Sequence, residues 1–331
     1  MTAAMAAAAQ KIVRRFSQLT IAVWGDFVAD EFVAGEIARV SREAPVLILK
    51  RRTRVWTAGG GANAAMNLAA LGVRVRAVGC VGDDEAGGEL LRLFASAGVN
   101  RRGVARLRGR GTPTKTRILA HHAHTTPQQV VRLDHEPPPL AAALQAKLAQ
   151  SVRRAVRGAH GVLISDYGYG AVDPAASVAL RALLPKAAPL CVDARYRIRA
   201  YRGCTAATPN EAELEAALAA PIASPRALER AGRTLARQLA CPHLLVTRGR
   251  DGMALFEPRR RTLLLPVVGS QQALDVTGAG DTVIAVFTAA LAAGADGPTA
   301  AALANHAGGI VVMKTGTATV SAAELLQAVG T

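Results

Sequence analysis

The stretch Asp275-Val276-Thr277-Gly278-Ala279-Gly280-Asp281-Thr282 runs directly into a strongly apolar segment, Val283-Ile284-Ala285-Val286-Phe287-Thr288-Ala289. Small residues flanked by glycine let several backbone N–H groups turn toward one point. The helix that the apolar segment predicts adds the positive end of its dipole at the same place. Such a nest suits an anion. A carboxylate at its rim, Asp281, stabilises nothing there by itself. It fits if it takes the proton from a hydroxyl that attacks the bound anion. The layout is that of a phosphoryl-transfer site, with Gly278, Ala279 and Gly280 as amide donors and Asp281 as base. The plainer alternative is a glycine-rich turn whose Asp caps a helix. No Gly-x-x-x-x-Gly-Lys-Ser/Thr pattern occurs, so the phosphate site is not a P-loop.

Outward from this stretch, short apolar runs alternate with Ala/Leu/Arg-rich segments of helical period. Strands are expected at Thr20–Trp24, Val75–Cys80, Gly161–Ser165, Leu190–Asp193, Leu244–Thr247, Met253–Phe256 and Thr262–Pro266. Helices are expected at Ala62–Leu71, Asp84–Ala97, Leu140–Arg157, Pro174–Leu184, Asn210–Ala219, Pro225–Leu239, Ala279–Ala293, Pro298–Lys314 and Ala322–Val329. Repeated strand–helix alternation implies an α/β fold with a mostly parallel sheet covered on both faces. Ligands then bind beyond the carboxyl ends of its strands. Two segments, about 31–56 and 112–134, break the alternation with strand-like pieces and no intervening helix. A sheet of that size cannot bury both faces alone, so it is expected to form a lid and to pair with a second copy of the chain. Residues 1–331 are thus expected to form one domain with this lid inserted.

Composition narrows the function classes. Half of the 331 residues are hydrophobic, enough for a large core, and no run of apolar residues is long enough to span a membrane. Met1 to Ala9 is Ala-rich and precedes Lys11, Arg14 and Arg15, the reverse of a signal peptide's order; a frayed helix is expected. Cys80, Cys191, Cys204 and Cys241 form no Cys-x-x-Cys pair and read as buried, reduced thiols of a cytoplasmic protein. The formal charge is +16, mostly from arginine. Nucleic-acid binding would want these charges gathered among exposed aromatics, yet aromatics make up 4% of the chain. Attraction of anionic substrates and simple compositional drift are the other two readings.

Further constellations surround the first. Gly59-Gly60-Gly61-Ala62-Asn63-Ala64 opens a helix. It is a weak match to a dinucleotide fingerprint and does not follow the first strand. The glycines also let backbone approach a polyol, with Asn63 offering donor and acceptor to its hydroxyls. Asp26 and Asp30 follow the first strand, where carboxylates can sort sugar hydroxyls or cap a turn. Asn210 and Glu213 share one helix face and fit either a capping box or the outer shell of Mg²⁺ riding on ATP. Thr247-Arg248-Gly249-Arg250-Asp251-Gly252 reads as a hairpin that could flank a nucleotide, with Arg248 on phosphate. Lys115 and Arg117 in the second lid segment either close over an anionic substrate or protect a strand edge. His121, His122 and His124 lack a partner set for a metal.

Taken together, these residues resemble the ribokinase-like (PfkB) carbohydrate kinases over nearly the whole chain. Gly60-Gly61-Ala62-Asn63, with Gly59 as an extra glycine, is similar in kind to that family's early Gly-Gly-x-x-Asn motif. Asn210 to Glu213 resembles its Asn-x-x-Glu motif, and Asp275 to Asp281 its Asp-x-x-Gly-Ala-Gly-Asp motif. Within the family the likeness is to heptose 7-phosphate kinases, carried by Ser41-Arg42-Glu43-Ala44-Pro45-Val46, Thr114-Lys115-Thr116-Arg117, Ser165-Asp166-Tyr167 and Gly316-Thr317-Ala318-Thr319-Val320. Two departures stand out. Asp193-Ala194-Arg195 replaces that group's Asp-Pro-Lys, and Tyr167-Gly168-Tyr169-Gly170 replaces its Tyr-Ala-Lys-Gly.

The resemblance implies an ATP- and Mg²⁺-dependent kinase acting on O1 of D-glycero-D-manno-heptose 7-phosphate, on the route to ADP-heptose and lipopolysaccharide. It implies Asp26, Asp30, Gly60, Gly61 and Asn63 on the sugar, and Lys115, Arg117 and Arg195 on its phosphate. Asn210, Arg248, Gly249, Gly252 and Asn305 would hold ATP, Asp275 and Thr277 a K⁺ ion, and a homodimer would form through the lid. There is no His-x-Gly-His motif, so no nucleotidyltransferase domain is expected. Alternatives are a related kinase for ribose, fructose phosphate or a keto-deoxy sugar acid, and a non-catalytic sugar-sensing or nucleic-acid-binding relative.

Overall fold

The computed structural model describes residues 3–122, 127–269 and 273–330. The chain opens with helix α1 (Ala3–Arg14) and strand β1 (Thr20–Gly25), then two long strands, β2 (Phe27–Val40) and β3 (Leu47–Gly60). Next come α2 (Gly61–Ala70), β4 (Arg74–Gly82), α3 (Glu85–Ser96), β5 (Asn100–Leu107), β6 (Thr114–His121) and β7 (Gln128–His135). The middle of the chain holds α4 (Ala142–Ala155), β8 (Gly161–Asp166), α5 (Pro174–Leu180), β9 (Leu190–Ala194) and β10 (Ala206–Ala207). The last part holds α6 (Glu211–Leu218), α7 (Pro225–Leu239), β11 (His243–Thr247), β12 (Met253–Phe256), β13 (Leu263–Leu265), α8 (Ala279–Ala292), α9 (Gly297–Val311) and α10 (Ala322–Gly330).

Nine strands form the main sheet in the order β13-β12-β11-β10-β9-β8-β1-β4-β5. From β11 to β5 every pairing is parallel; β12 and β13 are antiparallel additions at one edge. The central strands β1 and β8 are buried at every position, as a sheet covered on both faces requires. One apolar layer, around α2, α8 and α9, includes Leu68, Val286, Phe287 and Leu303; the other lies under α4, α5 and α7 and includes Trp24, Leu180 and Leu235. The Trp24 indole N–H donates to Ala171 O at 2.8 Å, so the largest buried side chain is also hydrogen-bonded.

The lid is a second sheet, β3-β2-β6-β7. Its strands are longer than the sequence suggests. β2 begins at Phe27, so Asp30 lies within a lid strand and not in a loop after β1. Val130, Val131 and Leu133 on the edge strand β7 are exposed, as are Val40, Val46 and Leu47 on the hairpin β2–β3.

Three expectations need correction. The N-terminal helix is not frayed, because Ala9, Ile12 and Val13 pack into the core. β5 and the two-residue β10 escaped detection: β5 is an edge strand rich in arginine, and β10 is too short to carry a period. Helix α5 ends at Leu180 and continues as a 3-10 turn, Arg181–Leu183. All four cysteines are free and buried. His124 lies outside the described residues, and no group of three or more His, Cys, Asp or Glu among the described residues could hold a metal. No helix among them is long and apolar enough to cross a membrane.

Candidate active site

The parallel strands end at Gly25, Asp166, Ala194 and Thr247, and the motif residues converge beyond those ends. Gly278 caps α8 with φ 75°, a left-handed conformation that favours glycine. A Cβ built there would lie 2.4 Å from Asn63 Nδ2. That close approach lets Asn63 Nδ2 donate both to Gly278 O (3.2 Å) and to Asp281 Oδ2 (3.0 Å). The other carboxylate oxygen, Oδ1, accepts from the Tyr167 hydroxyl at 2.9 Å. Asp281 sits in the first turn of α8 and is 3% exposed. Burial pushes its carboxyl up to about 7, against the opposing effect of the Asn63 and Tyr167 hydrogen bonds. A carboxylate held near neutrality suits a general base.

The amide nest differs in detail from the sequence expectation. The Ala279 N–H turns back to Val276 O at 3.2 Å. The N–H groups of Gly278, of exposed Gly280 and of Asp281 have no protein acceptor among the described residues and are the open donors at the head of α8.

Asn67, one turn after Asn63 on α2, was absent from the sequence reading. Its Nδ2 donates to Asn63 Oδ1 (3.0 Å) and Asn63 O (3.1 Å), while its Oδ1 accepts from Thr282 Oγ1 (3.1 Å) and Val320 N (3.3 Å). A fully buried amide thus ties α2 to α8 and fixes Asn63. The i, i+4 spacing of two asparagines on an Ala-rich helix was the available signal.

The two early carboxylates have different surroundings. Asp26 accepts from the backbone N–H of Tyr167 (2.9 Å), Tyr169 (3.0 Å) and Ala171 (2.8 Å). Burial raises its carboxyl to about 6 despite these bonds. Both oxygens accept from the loop after β8, so Asp26 holds Tyr167 in place. Asp30 is 3% exposed and pairs with Arg117 NH1 at 2.7 Å. Burial raises it, and the Arg117 charge opposes the rise. Arg117 also lies over the Phe32 ring at 5.2 Å. Its guanidinium is therefore engaged by Asp30, unlike the phosphate ligand that the sequence suggested. Gly59 makes this possible, since a Cβ there would meet Asp30 Oδ2 at 2.4 Å. Gly60 and Gly61 pass close to the Asp26 carbonyl, and Gly60 adopts φ 54°. Lys115 Nζ stands 5.5 Å over the Tyr167 ring, and desolvation lowers its ammonium. Arg195 is exposed and has no carboxylate within 4 Å among the described residues.

Two cavities meet at the head of α8, and Gly280 lines both. The first, about 290 Å³, contains Gly249, Gly252 and Asn305 together with the apolar side chains of Met253, Val283 and Val312. Gly252 adopts φ 79° with Leu265 O directly over its Cα, and Asn305 Nδ2 donates to Pro266 O at 2.7 Å. Arg248 is held outside by Glu211, its Nε 2.8 Å from Oε1. The second cavity, about 430 Å³, contains Tyr167, Asp193, Arg195, Asn210 and Glu213. Asn210 and Glu213 form a capping box on α6: the Asn210 Oδ1 accepts from Glu213 N at 2.8 Å, and the Glu213 Oε2 from Asn210 N at 2.9 Å. Burial raises the Glu213 carboxyl. Asp193 was missed as a site residue. Burial raises its carboxyl well above the ordinary range, and the neighbouring Glu213, Asp281 and Asp166 add to the shift. Arg195 opposes the rise at Glu213, Lys115 that at Asp281, and Arg197 pairs with Asp166. Asp275 accepts from Thr277 N and Gly316 N, both at 2.9 Å, and so clamps the nest to the loop before α10.

Comparisons with known proteins bear on the fold and the family. In overall fold the chain is similar to Escherichia coli phosphofructokinase-2 in complex with substrates and products, with TM-score 0.75 at 19% identity over 94% of this chain and 98% of that one. It is also similar to Arabidopsis thaliana ribokinase complexed with ribose and ATP, with TM-score 0.71 at 20% identity over 94% and 98% of the two chains. In sequence it is 38% identical over 318 residues to the bifunctional protein HldE of Mesorhizobium japonicum, covering 95% of this chain and 63% of that protein. It is 40% identical to the HldE of Pseudomonas fluorescens over 316 residues, covering 95% and 64%. The chain thus spans somewhat under two thirds of these relatives' length. The model of the pfkB family of carbohydrate kinases matches residues 21–324, and with it the nest, the base and the capped α6 motif: the chain belongs to that family of sugar kinases.

Proposed function

We propose that this sugar kinase transfers the γ-phosphoryl group of ATP to O1 of D-glycero-D-manno-heptose 7-phosphate, giving the 1,7-bisphosphate. The observation that carries the phosphoryl-transfer reading is the position of Gly280. It borders both cavities and directly precedes a buried carboxylate held near pH 7. Adenine fits the apolar cavity by Gly249, Gly252 and Asn305. The phosphates would run past the open N–H groups of Gly280 and Asp281 toward Asn210 and Glu213. Asp281 would accept the proton of the attacking hydroxyl while those amides hold the charge building on phosphorus; losing one such donor costs roughly 3 kcal/mol of barrier.

Mg²⁺ on ATP would bring positive charge to the transferring phosphoryl. Asp193 and Glu213 fit such an ion better than Asn210, whose oxygen is already used by the cap. Asp275 and Thr277 stay candidates for a K⁺ ion that shapes the nest. Lys115 and Arg195, neither held by a carboxylate within 4 Å among the described residues, suit the pre-existing phosphate of the sugar. Gly60, Gly61 and Asn63 would bear on the sugar, with Asp30 held beside them by Arg117. The heptose itself is supported by the identity to the HldE proteins. The single-domain organisation and the lid-mediated homodimer belong to the same reading.

The deciding experiment is an ADP-release assay with ATP, Mg²⁺ and a panel of acceptors. Heptose 7-phosphate is expected to be preferred. Preference for ribose, fructose 6-phosphate or a keto-deoxy sugar acid would overturn the heptose assignment and keep the kinase.

A further inference from the structure

A cavity of about 850 Å³ lies nowhere near this chemistry. It lies between the outer face of α7 and the turn that follows β12, lined by Arg230, Arg233, Arg237, Arg259, Cys241 and Phe256. Phe256 pairs with Leu244 near the start of β11, whereas the nucleotide cavity lies past the end of that strand. The cleft therefore opens at the opposite end of the sheet.

Its charge is concentrated by helix periodicity. Arg226, Arg230, Arg233 and Arg237 recur at intervals of four, three and four residues along α7 and share one face. Arg259, Arg260 and Arg261 approach from the turn after β12. The only carboxylates lining the cleft among the described residues, Glu229 and Glu257, are already engaged. Glu229 binds Arg233 and Thr262 Oγ1, and Glu257 binds Arg260 (3.1 Å) and lies 2.8 Å from His243 Nδ1. Arg233 also donates to Arg260 O at 2.9 Å, which fixes one wall to the other. That leaves Arg230, Arg237 and Arg259 with no carboxylate within 4 Å among the described residues. Below them the lining is apolar: Ala236, Ala240, Pro242 and Pro258 reach the cleft, over a buried base of Cys241 and Phe256. Several unneutralised guanidiniums over an apolar floor, in a cleft of small-molecule size, match an anion that carries a flat, carbon-rich group.

We propose that this cleft is a second ligand site, separate from the active site, for a nucleoside di- or triphosphate, with Arg230, Arg237 and Arg259 on the phosphates. Calorimetric titration of the full chain with ADP tests it. The wild type is expected to show one more ADP site than Arg230→Glu/Arg237→Glu, with that site weakened roughly tenfold or more. The neutral pair Arg230→Gln/Arg237→Gln is expected to lose the same site. The readout is the difference between wild type and variants, so it survives failure of the kinase reading: two sites would become one if the active site binds ADP, and one would become none if it does not. Equal stoichiometry and affinity in wild type and both variants would overturn the proposal. So would binding that depends on these arginines only for a single-stranded oligonucleotide or an acidic peptide, which would make the cleft a macromolecular surface. Uniform weakening of all sites by the Glu pair but not the Gln pair would reduce the effect to long-range charge and also overturn it.

Discussion

Tyr167 donates its hydroxyl hydrogen to Asp281 Oδ1 at 2.9 Å, from the face of Asp281 opposite the Asn63 amide. Each oxygen of the proposed base thereby accepts one bond and keeps a further lone pair for the hydroxyl of an acceptor sugar. Tyr167 is itself held by the Asp26 carboxylate through its N–H, which gives the most buried early carboxylate a positioning role. Tyr167→Phe removes a bond that lowers the Asp281 carboxyl. The acid limb of kcat/KM should move upward from about pH 7 by on the order of one unit. ATP hydrolysis without sugar should rise, since the base is left uncapped. A pH–rate profile with an unchanged acid limb would show that the contact has no bearing on the base.

The same raised carboxyl gives a rate and a stability prediction of opposite sign. Below about pH 7 Asp281 is protonated in the folded chain, so the sugar-dependent rate should fall about tenfold per pH unit. Its folded value lies above the ordinary 3.8, so the folded state holds a proton that the unfolded state releases. This group's contribution to stability therefore declines as pH rises from about 4 through 7. Burial pushes Asp26, to about 6, in the same direction. Asp281→Asn should lower kcat about 10²–10⁴-fold. Its melting temperature should fall less than the wild type's between pH 5 and pH 8. Scanning calorimetry at the two pH values checks this, and equal slopes would remove Asp281 from the stability account.

Gly278 is a test of the nest. An alanine there must place a Cβ 2.4 Å from Asn63 Nδ2 while keeping φ 75°. Either Asn63 moves off Asp281 or the loop leaves its left-handed turn. Gly278→Ala should lose about 10²–10³-fold in kcat, with ADP affinity changed far less, because Gly278 does not line the apolar cavity by Gly249, Gly252 and Asn305. A parallel loss of ADP binding would mean that the loop also shapes that cavity.

Much of this arrangement could be read from the chain, for reasons that particular residues make plain. The buried parallel strands and the apolar α8 announce themselves by composition, because both faces of each are covered. The nest and its base are contiguous, so one octapeptide carried them. What the sequence concealed depends on distant partners. Asp26 and Asp30 look alike eight or fewer residues past the same strand, yet one clamps the Tyr167 loop and the other pairs with Arg117. Asp193 reads as the end of a strand until Glu213 and Asp281 are brought beside it. The lid strands were underestimated because β2 begins in a buried stretch and ends in an exposed one, with a change of burial pattern midway.

Asn67 is the clearest case of a concealed residue, and its removal gives a separable outcome. It touches no proposed substrate, but its amide joins Asn63, Thr282 and Val320. Asn67→Ala leaves Asn63 Oδ1 and the Val320 N–H without their buried partner, a loss of about 2–4 kcal/mol of stability. Released from its anchor, Asn63 should no longer hold Asp281 Oδ2, so the base should titrate higher, as with Tyr167→Phe. Urea unfolding gives the first quantity and the pH–rate profile the second. Both effects should appear together, because one side chain carries both. Lost stability with an unmoved acid limb would confine Asn67 to packing and leave Asn63 positioned by Gly278 O alone.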